Sequence, residues 1–308
     1  MTWRRVSLTV SDAAPIETFT LTGPKPGPLL AVFGGVHGDE PEGVFAARTI
    51  AGMDLDLLCG AVMVVPIAHP AAFAADTRAG PDGVNLARVF PGNPNGSPTE
   101  RVAAVLTENV LSKADALIDL HTAGRHYAMP LLAGLGSTGE AREVAARMAE
   151  AFGADVVWHH PDTAEGRTLS VMQARGKPAI YTEAPGGGTL DRSTLDRYVE
   201  GVQRVMAVLG MLAPLPPLKT RALNVFGVGN LDQDVLRSPA AGHFCVAVEV
   251  GAVVPEGGLL GQVLSLGKPP IDVRAPHEGV VMYLRRTALI EDGTALTNVS
   301  RLRPDGGT

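Results

Sequence analysis

The chain has 308 residues, of which 45% are hydrophobic and 19% are charged, and its formal net charge is −6. This composition can fill about two packed domains and excludes a chain that is disordered over most of its length. The negative charge disfavours nucleic acid and anionic membrane surfaces as partners, and no apolar run reaches the roughly 18 residues of a membrane span. The apolar stretch near the N-terminus is too short and interrupted for a signal peptide, so we expect a cytoplasmic protein.

The cysteine content supports the same expectation. Two cysteines, Cys59 and Cys245, cannot build a disulfide scaffold. We expect each to be a small buried apolar side chain in a protein of a reducing compartment.

In the first two thirds of the chain, strand patterns alternate with helix patterns. Alternating apolar residues at 6–10 and 19–21 predict an opening β-hairpin. Continuous apolar runs predict buried strands at 29–33, 61–67, 116–120 and 179–182. Helical patterns predict helices at 41–52, 98–113, 139–152 and 190–212. We therefore expect an α/β fold with a mixed, largely parallel sheet flanked by helices.

A proline-rich stretch at 213–218 predicts a domain boundary, because it ends the preceding helix and forms a stiff spacer. Beyond it the pattern changes to short β-branched runs with turns roughly every 8–12 residues. We therefore expect an α/β domain at 1–213 and a separate all-β module at 220–308.

Polar motifs follow three of the predicted strands, at the sheet edge where open α/β folds bind ligands. His37 and Glu40 stand three residues apart in a glycine-rich segment directly after a strand, so both can face one point. His121 and Glu183 stand at the ends of two later strands. These motifs are expected to meet at one edge of the sheet.

The residue types are those of a catalytic metal site. Two imidazoles and one carboxylate leave one coordination position of zinc open for water, and a further glutamate can act as a general base. Other first-row metals also suit this donor set. Each motif alone would also fit a structural role, as a surface turn or a strand-end histidine, whereas the combination favours a metal centre.

Two arginines lie in a long loop that follows the second buried strand. Arg78 and Arg88 are separated by a segment rich in glycine and polar residues. Arginine binds carboxylates in bidentate geometry and can stabilise a developing oxyanion. The alternative is a pair of solvated surface charges.

Four segments carry a family resemblance: HGDEPEG at 37–43, NLARVFPG at 85–92, DLH at 119–121 and EAPGG at 183–187. As a set they resemble the succinylglutamate desuccinylase/aspartoacylase family, a branch of the zinc carboxypeptidase-like hydrolases. The resemblance implies one zinc ion per chain, held by His37, Glu40 and His121. It also implies that Glu183 is the base that activates water, and that 1–213 is the catalytic domain.

The resemblance also assigns roles in substrate binding. In the family, one arginine polarises the scissile carbonyl and a second binds the substrate carboxylate, and Arg78 and Arg88 fit these positions. Asn85, in the same motif, and Arg167 are further candidates for substrate contact. The family usually has Asn where this chain has Ala87, so one amide hydrogen bond to the carboxylate is missing.

Other polar residues near the same edge are weaker candidates. His69 and His126 could line the pocket, and Asp119 could orient His121 as a neighbouring carboxylate. The remaining histidines, at 159, 160 and 243, are expected to be ordinary polar residues.

The C-terminal module has a resemblance of its own. The segment 273–281 resembles a turn of biotinyl/lipoyl-type β-sandwich domains, and Lys268 falls where a carrier lysine would stand. Its neighbours lack the methionines of a biotin site and the acidic residue usual before a lipoyl lysine. We therefore expect a structural module that shapes the active-site entrance or an oligomer contact.

The sequence thus favours a zinc-dependent deacylase that hydrolyses the amide bond of a small N-acyl amino acid. Its partner would be a small, carboxylate-bearing substrate, with no nucleic acid or membrane partner, and a homo-oligomer stays open. The alternatives are a carboxypeptidase-type peptidase, or a non-catalytic binding protein that has kept the fold.

Overall fold

A computed structural model describes residues 1–136, 140–161, 163–227 and 235–302. The strands of the first part are β1 (Arg4–Leu8), β2 (Ile16–Thr22), β3 (Leu29–Phe33), β4 (Ala61–Val65), β5 (Ala116–Thr122), β6 (Tyr127–Ala128), β7 (Leu132–Leu135), β8 (Val156–His159) and β9 (Ala179–Ala184). The helices are α1 (Pro41–Ile50), α2 (Pro70–Ala75), α3 (Pro98–Leu106), α4 (Glu140–Phe152), α5 (Thr168–Ala174) and α6 (Arg192–Val208).

The strands of the last part are β10 (Leu223–Phe226), β11 (Leu236–Arg237), β12 (Gly242–Val246), β13 (Val253–Val254), β14 (Leu259–Leu264), β15 (Ile271–Arg274), β16 (Gly279–Arg285), β17 (Leu289–Ile290) and β18 (Ala295–Leu302). Among the described residues, no helix has the length and apolar character needed to cross a membrane.

The centre of the main sheet is parallel, as the sequence predicts. Its strand order is β1-β2-β4-β3-β5-β9-β7-β8-β10-β18-β16-β13. The pairs β4–β3, β3–β5 and β5–β9 are parallel, and β1–β2, β2–β4 and β9–β7 are antiparallel. The carboxyl ends of β3, β5 and β9 therefore lie side by side at one edge.

Helices cover both faces of this sheet, because successive side chains of a strand point to opposite faces. Leu30 and Val32 of β3 pack in a core with α1, α4 and α6. Ala31 and Phe33 pack in a second core with α3 and α5. The expected mixed, largely parallel α/β fold is confirmed.

The predicted helices are all present, with small differences at their ends. The helix expected at 98–113 is α3 followed by a π-helical turn at 107–111. The helix expected at 139–152 is α4, and position 139 lies outside the described residues. Helices α2 and α5 and strands β7 and β8 were not predicted. With four to seven residues each, they are too short to show a clear period.

The last part of the chain is all-β, as expected, and it continues the main sheet. Strand β10 pairs in parallel with β8 and antiparallel with β18. A second, four-stranded sheet has the order β15-β14-β12-β17 and packs over a core shared with β16 and β18. The predicted module at 220–308 includes 228–234 and 303–308, which lie outside the described residues.

The expectation of two buried cysteines is wrong. Cys245 is exposed, and Cys59 is only partly buried, with its Sγ donating to the Gly210 carbonyl at 3.3 Å. Cys245 follows the buried Phe244 in β12, so strand alternation turns it to the solvent face.

Candidate metal centre and substrate cavity

Three buried side chains converge at the carboxyl ends of β3 and β5. His37 lies in the loop after β3, Glu40 directly precedes α1, and His121 belongs to β5. One ligand atom from each lies within 4.8 Å of the other two. Their exposed fractions are 3%, 1% and 8%, so all three face the interior.

The Glu40 carboxylate bridges the two imidazoles. Its Oε1 lies 2.7 Å from His37 Nδ1, and its Oε2 lies 2.8 Å from His121 Nδ1. Burial raises the pKa of Glu40, but the charges and hydrogen bonds of the two histidines outweigh burial and hold it well below its usual value. The carboxylate is therefore ionised, as a metal ligand must be.

His121 is oriented from behind by a second carboxylate. Its Nε2 lies 3.2 Å from Asp119 Oδ2, which also accepts from the Thr168 hydroxyl. Burial lowers the pKa of His121, but Asp119 and Glu40 raise it well above its usual value. A carboxylate behind an imidazole is the usual support of a metal-binding histidine, and it turns Nδ1 toward the site.

His37 has a different partner, Asn85. The Asn85 side-chain oxygen lies 3.1 Å from His37 Nε2 and accepts from the Ala87 N–H at 2.8 Å. This oxygen therefore holds His37 and caps the short turn at 86–88. Asn85 is not among the described residues that line the cavity.

Glu183 lies beside this cluster at the end of β9. It is directly opposite His121 in the register of β5 and β9. Burial, and next the nearby charge of Glu40, raise the pKa of its carboxyl. Its Oε2 is buried with no hydrogen-bond partner among the described residues. Its place beside the cluster makes this carboxyl a candidate for proton exchange with a bound molecule.

A cavity of about 440 Å³ opens onto these residues. It is lined by six of the eight predicted site residues: His37, His121, Glu183, Arg78, Arg88 and Arg167. Arg78 Nη1 donates to Glu40 Oε1 at 2.9 Å, which places this guanidinium beside the cluster. Arg88 Nη1 donates to the Ala87 carbonyl at 3.0 Å. The three predicted arginines and the carboxyl of Glu183 therefore line one small space.

Of the two weaker histidine candidates, only one lines the cavity. His126 lines the cavity, whereas His69 caps α2 and lies 3.1 Å from the Thr99 hydroxyl. His160, expected to be an ordinary polar residue, lies in the cavity wall together with Trp158 and Tyr181. Tyr181 could have been found from the sequence, because it stands two residues before Glu183 in the same strand and shares its face.

The C-terminal part of the chain contributes to the cavity wall. The sequence did not indicate which of its residues would do so. Arg237 and Tyr283 line the cavity. Tyr283 stacks on Tyr127 at 4.3 Å between ring centroids, and Arg285 donates to the Tyr127 hydroxyl at 2.9 Å. Strand β6, which carries Tyr127, pairs with β16.

Known proteins are similar to this chain in sequence. The model of the succinylglutamate desuccinylase/aspartoacylase catalytic domain matches residues 26–209. The N-alpha-acetyl-L-2,4-diaminobutyric acid deacetylase of Halomonas elongata is 28% identical over 90% of this chain and 83% of its own length.

Solved structures agree along nearly the whole chain. The product-bound ectoine utilization protein EutE (DoeB) from Ruegeria pomeroyi is 26% identical, with a TM-score of 0.85 over 97% of this chain and 94% of its own. An aspartoacylase family protein from Mesorhizobium loti is also 26% identical, with a TM-score of 0.83 over 98% and 95% of the two chains. Because the family model spans more than half of the sequence and contains the candidate metal cluster, the chain belongs to the succinylglutamate desuccinylase/aspartoacylase family.

Proposed function

We propose that the protein is a zinc-dependent hydrolase that removes the acyl group from a small N-acyl amino acid. The observation that carries this proposal is the buried cluster of His37, Glu40 and His121, whose ligand atoms lie within 4.8 Å of one another beside Glu183. Two imidazoles and an ionised carboxylate fit a single zinc ion. When bound there, zinc supplies Lewis acidity that polarises a carbonyl group and acidifies water.

Glu183 would transfer the protons of the reaction. Its carboxylate takes a proton from the attacking water and, as the acid, returns it to the leaving amine. Burial raises the pKa of Glu183, so this carboxyl can hold the proton after it leaves the water and before it reaches the amine. Its Oε2 has no hydrogen-bond partner among the described residues, so it can bind the reacting molecule.

The arginines would bind the charges of the substrate and of the reaction. Arg78, held beside the cluster by Glu40, lies where negative charge develops on the carbonyl oxygen. Arg88 would bind the carboxylate of the amino acid and fix its orientation, and Arg167 would provide a further contact. Since the Asn85 oxygen already bonds to His37 and to the backbone, we assign this residue to positioning rather than to substrate contact.

The size of the cavity and the names of the relatives support a small substrate. About 440 Å³ suits a molecule of drug size or smaller. The wall formed by Tyr127 and Tyr283 restricts the open groove that a peptide tail needs, which disfavours a carboxypeptidase. The Halomonas elongata relative is named as a deacetylase of an N-acetylated amino acid, which favours a deacylase. We also propose that 1–213 is the catalytic domain and 220–308 a β-sandwich module, which is joined to the catalytic domain by the pairing of β10 with β8.

Metal analysis combined with a panel of N-acyl amino acids tests the proposal. We expect about one zinc per chain, loss of hydrolysis when a chelator removes it, and recovery when zinc is added back. Purified protein that holds a full complement of zinc and hydrolyses none of the panel would leave the binding-protein alternative as the better interpretation.

A further inference from the structure

One end of the cavity is built from strands β8 and β9 and the start of α5. We call it the side-chain pocket and define it as Trp158, His160, Arg167 and Tyr181, all of which line the cavity. Tyr181 shares the face of Glu183, two residues away in β9. The pocket is therefore within the reach of a small molecule whose amide bond lies at Glu183.

The ring of Tyr181 has a fixed place. Tyr181 is opposite Gly134 in the register of β9 and β7. A Cβ atom at position 134 would lie 2.0 Å from the Tyr181 ring, so the ring occupies the space that any other residue would fill. The absence of a side chain at Gly134 lets the ring lie against β7.

The hydroxyl of Tyr181 has one polar partner in the pocket, His160. The distance from His160 Nε2 to the Tyr181 oxygen is 2.7 Å, and the two rings stack at 5.7 Å. Trp158 packs against His160 at 4.6 Å. His160 is 6% exposed, so both its partners and its rotamer are set by packing.

The direction of this hydrogen bond depends on which ring nitrogen of His160 carries a proton. Burial, and next the nearby guanidinium of Arg167, lower the pKa of His160 to about 4, so the imidazole is neutral at pH 7 and carries one proton. The backbone of Gly227 acts in the opposite direction and raises the pKa of His160, but by less than burial and Arg167 lower it. We assign the ring proton to Nδ1, because Nε2 is the polar partner that the Tyr181 hydroxyl has in the pocket. Nε2 then accepts the Tyr181 proton.

The pocket therefore offers one acceptor and one donor to a ligand. The Tyr181 oxygen, having given its proton to His160, keeps lone pairs for another donor. Arg167 lines the cavity and its Nε has no hydrogen-bond partner among the described residues, so its guanidinium is the donor for a ligand there. We infer that the side-chain pocket binds the side chain of the amino acid and selects one with both a donor and an acceptor, such as a carboxamide or a hydroxyl. This inference rests on the proposed deacylase function.

Other side chains match the pocket less well. An ammonium group would meet the charge of Arg167. A carboxylate would meet the lone pairs of Tyr181 and the carboxylate of Asp119, which is opposite Tyr181 in β5. An apolar side chain would leave Arg167 Nε and the Tyr181 oxygen desolvated and unpaired, which costs more than a missing hydrogen bond in water.

Binding to a zinc-loaded Glu183→Gln variant tests the inference without turnover. The ligands are N-acetylasparagine, N-acetylaspartate and N-acetylleucine, which have similar shapes, and N-alpha-acetyl-2,4-diaminobutyrate. We expect calorimetry to show that N-acetylasparagine binds about tenfold more tightly than the other three, as one neutral hydrogen bond allows. A tighter complex with the diaminobutyrate, aspartate or leucine compound would overturn the inference while supporting a deacylase. Binding of none of the four would contradict the proposed function itself.

Two substitutions in that background test the pair directly. Tyr181→Phe keeps the ring over Gly134 and should reduce the preference for N-acetylasparagine over N-acetylleucine to about twofold or less. Tyr127→Phe is the matched control, because it removes a cavity hydroxyl that is bound to Arg285 instead, and it should keep the preference. His160→Leu should free the Tyr181 proton and shift the preference several-fold toward N-acetylaspartate. An unchanged order of ligands in both Tyr181→Phe and a folded His160→Leu would refute the assignment.

Discussion

His121 and Glu183 lie directly opposite each other in the parallel strands β5 and β9. Neighbouring strands are about 4.8 Å apart, and residues in register point to the same face of the sheet. The spacing between a candidate metal ligand and the candidate base is therefore set by backbone hydrogen bonds between two central strands rather than by a loop. A shift of either strand by one residue would turn the side chain on that strand to the opposite face.

Glu183→Gln should separate metal binding from proton transfer. We expect the zinc content to stay near that of the wild type, because Glu183 is not part of the His37, Glu40 and His121 cluster. The turnover number should fall by roughly 10² or more, since general-base catalysis typically contributes 10²–10⁴. Metal analysis and steady-state kinetics on the same preparation check this, and a parallel loss of zinc and activity would make Glu183 a ligand.

Asp119→Ala should weaken metal binding through His121. Asp119 holds Nε2 of this histidine at 3.2 Å, and loss of such a partner typically costs about 10–100-fold in metal affinity. Asp115→Ala is the control, since Asp115 directly precedes the same strand but pairs with Lys177 at the surface. Zinc affinity can be measured by competition with a chelator. Equal affinities of the two variants would show that Asp119 does not support the metal site.

Arg78→Ala and Arg88→Ala should have different kinetic effects. Loss of Arg78 removes charge stabilisation near the Glu40 side of the cavity, so we expect the turnover number to fall roughly 10²–10³-fold with a smaller change in KM. Loss of Arg88 should raise KM for an N-acyl amino acid but not for its neutral α-carboxamide, because a charge-assisted pair contributes about 1.5–3 kcal/mol. If Arg88→Ala kept the wild-type preference for the carboxylate, another residue would bind that group.

Gly43→Ala should destabilise the fold near the site. Helix α1 approaches β5 so closely that a Cβ at position 43 would lie 2.3 Å from the Leu120 carbonyl oxygen. We expect the free energy of unfolding to fall by about 1–3 kcal/mol, because the helix must shift away from the strand. At Gly52 the nearest atom would be 3.6 Å away, so Gly52→Ala should change stability by no more than roughly 0.5 kcal/mol. Urea unfolding of both variants compares the two positions.

Asp82 should make stability depend on pH in the acid range. Its carboxylate accepts from the N–H and hydroxyl of Thr99 and from the Val84 N–H. Burial raises the pKa of Asp82, but these hydrogen bonds outweigh burial and lower it to about 2. The folded pKa lies below the unfolded one, so the stabilisation is present above about pH 4 and is lost as pH falls toward 2.

Denaturation of wild type and Asp82→Asn between pH 2 and 7 measures this effect. The wild type should be more stable above pH 4, and the difference should shrink toward zero at pH 2. A constant difference over the whole range would mean that the ionised carboxylate is not the stabilising form.

The part of the site that lies at strand ends could be predicted from the sequence. Buried parallel strands appear as apolar runs, so the residues that follow β3, β5 and β9 must meet at one edge. This rule brought His37, His121 and Glu183 together without any knowledge of side-chain contacts. Their roles as metal ligands and base stay predictions.

The other residues of the cavity wall could not be predicted from the sequence, for two physical reasons. Trp158 and His160 lie on or just after β8, whose four residues are too few to show a period. Tyr283 reaches the cavity only because the C-terminal strands dock against Tyr127, and this contact depends on long-range pairing rather than on any local pattern. The exposed Cys245 shows a further limit, because residue type alone does not say which face of a strand a residue occupies.

The pairing of β10 with β8 has a consequence for any shortened form of the protein. The family match ends at residue 209, but the hydrogen-bond ladder of the main sheet passes from β8 to β10 and on to β18. A chain ended after α6 would leave the backbone N–H and C=O groups of β8 as an open sheet margin, next to the apolar side chains of Val156 and Trp158. Such a margin is a template for intermolecular pairing. By pairing with β8, the C-terminal strands therefore prevent this margin of the sheet from pairing with another copy of the chain.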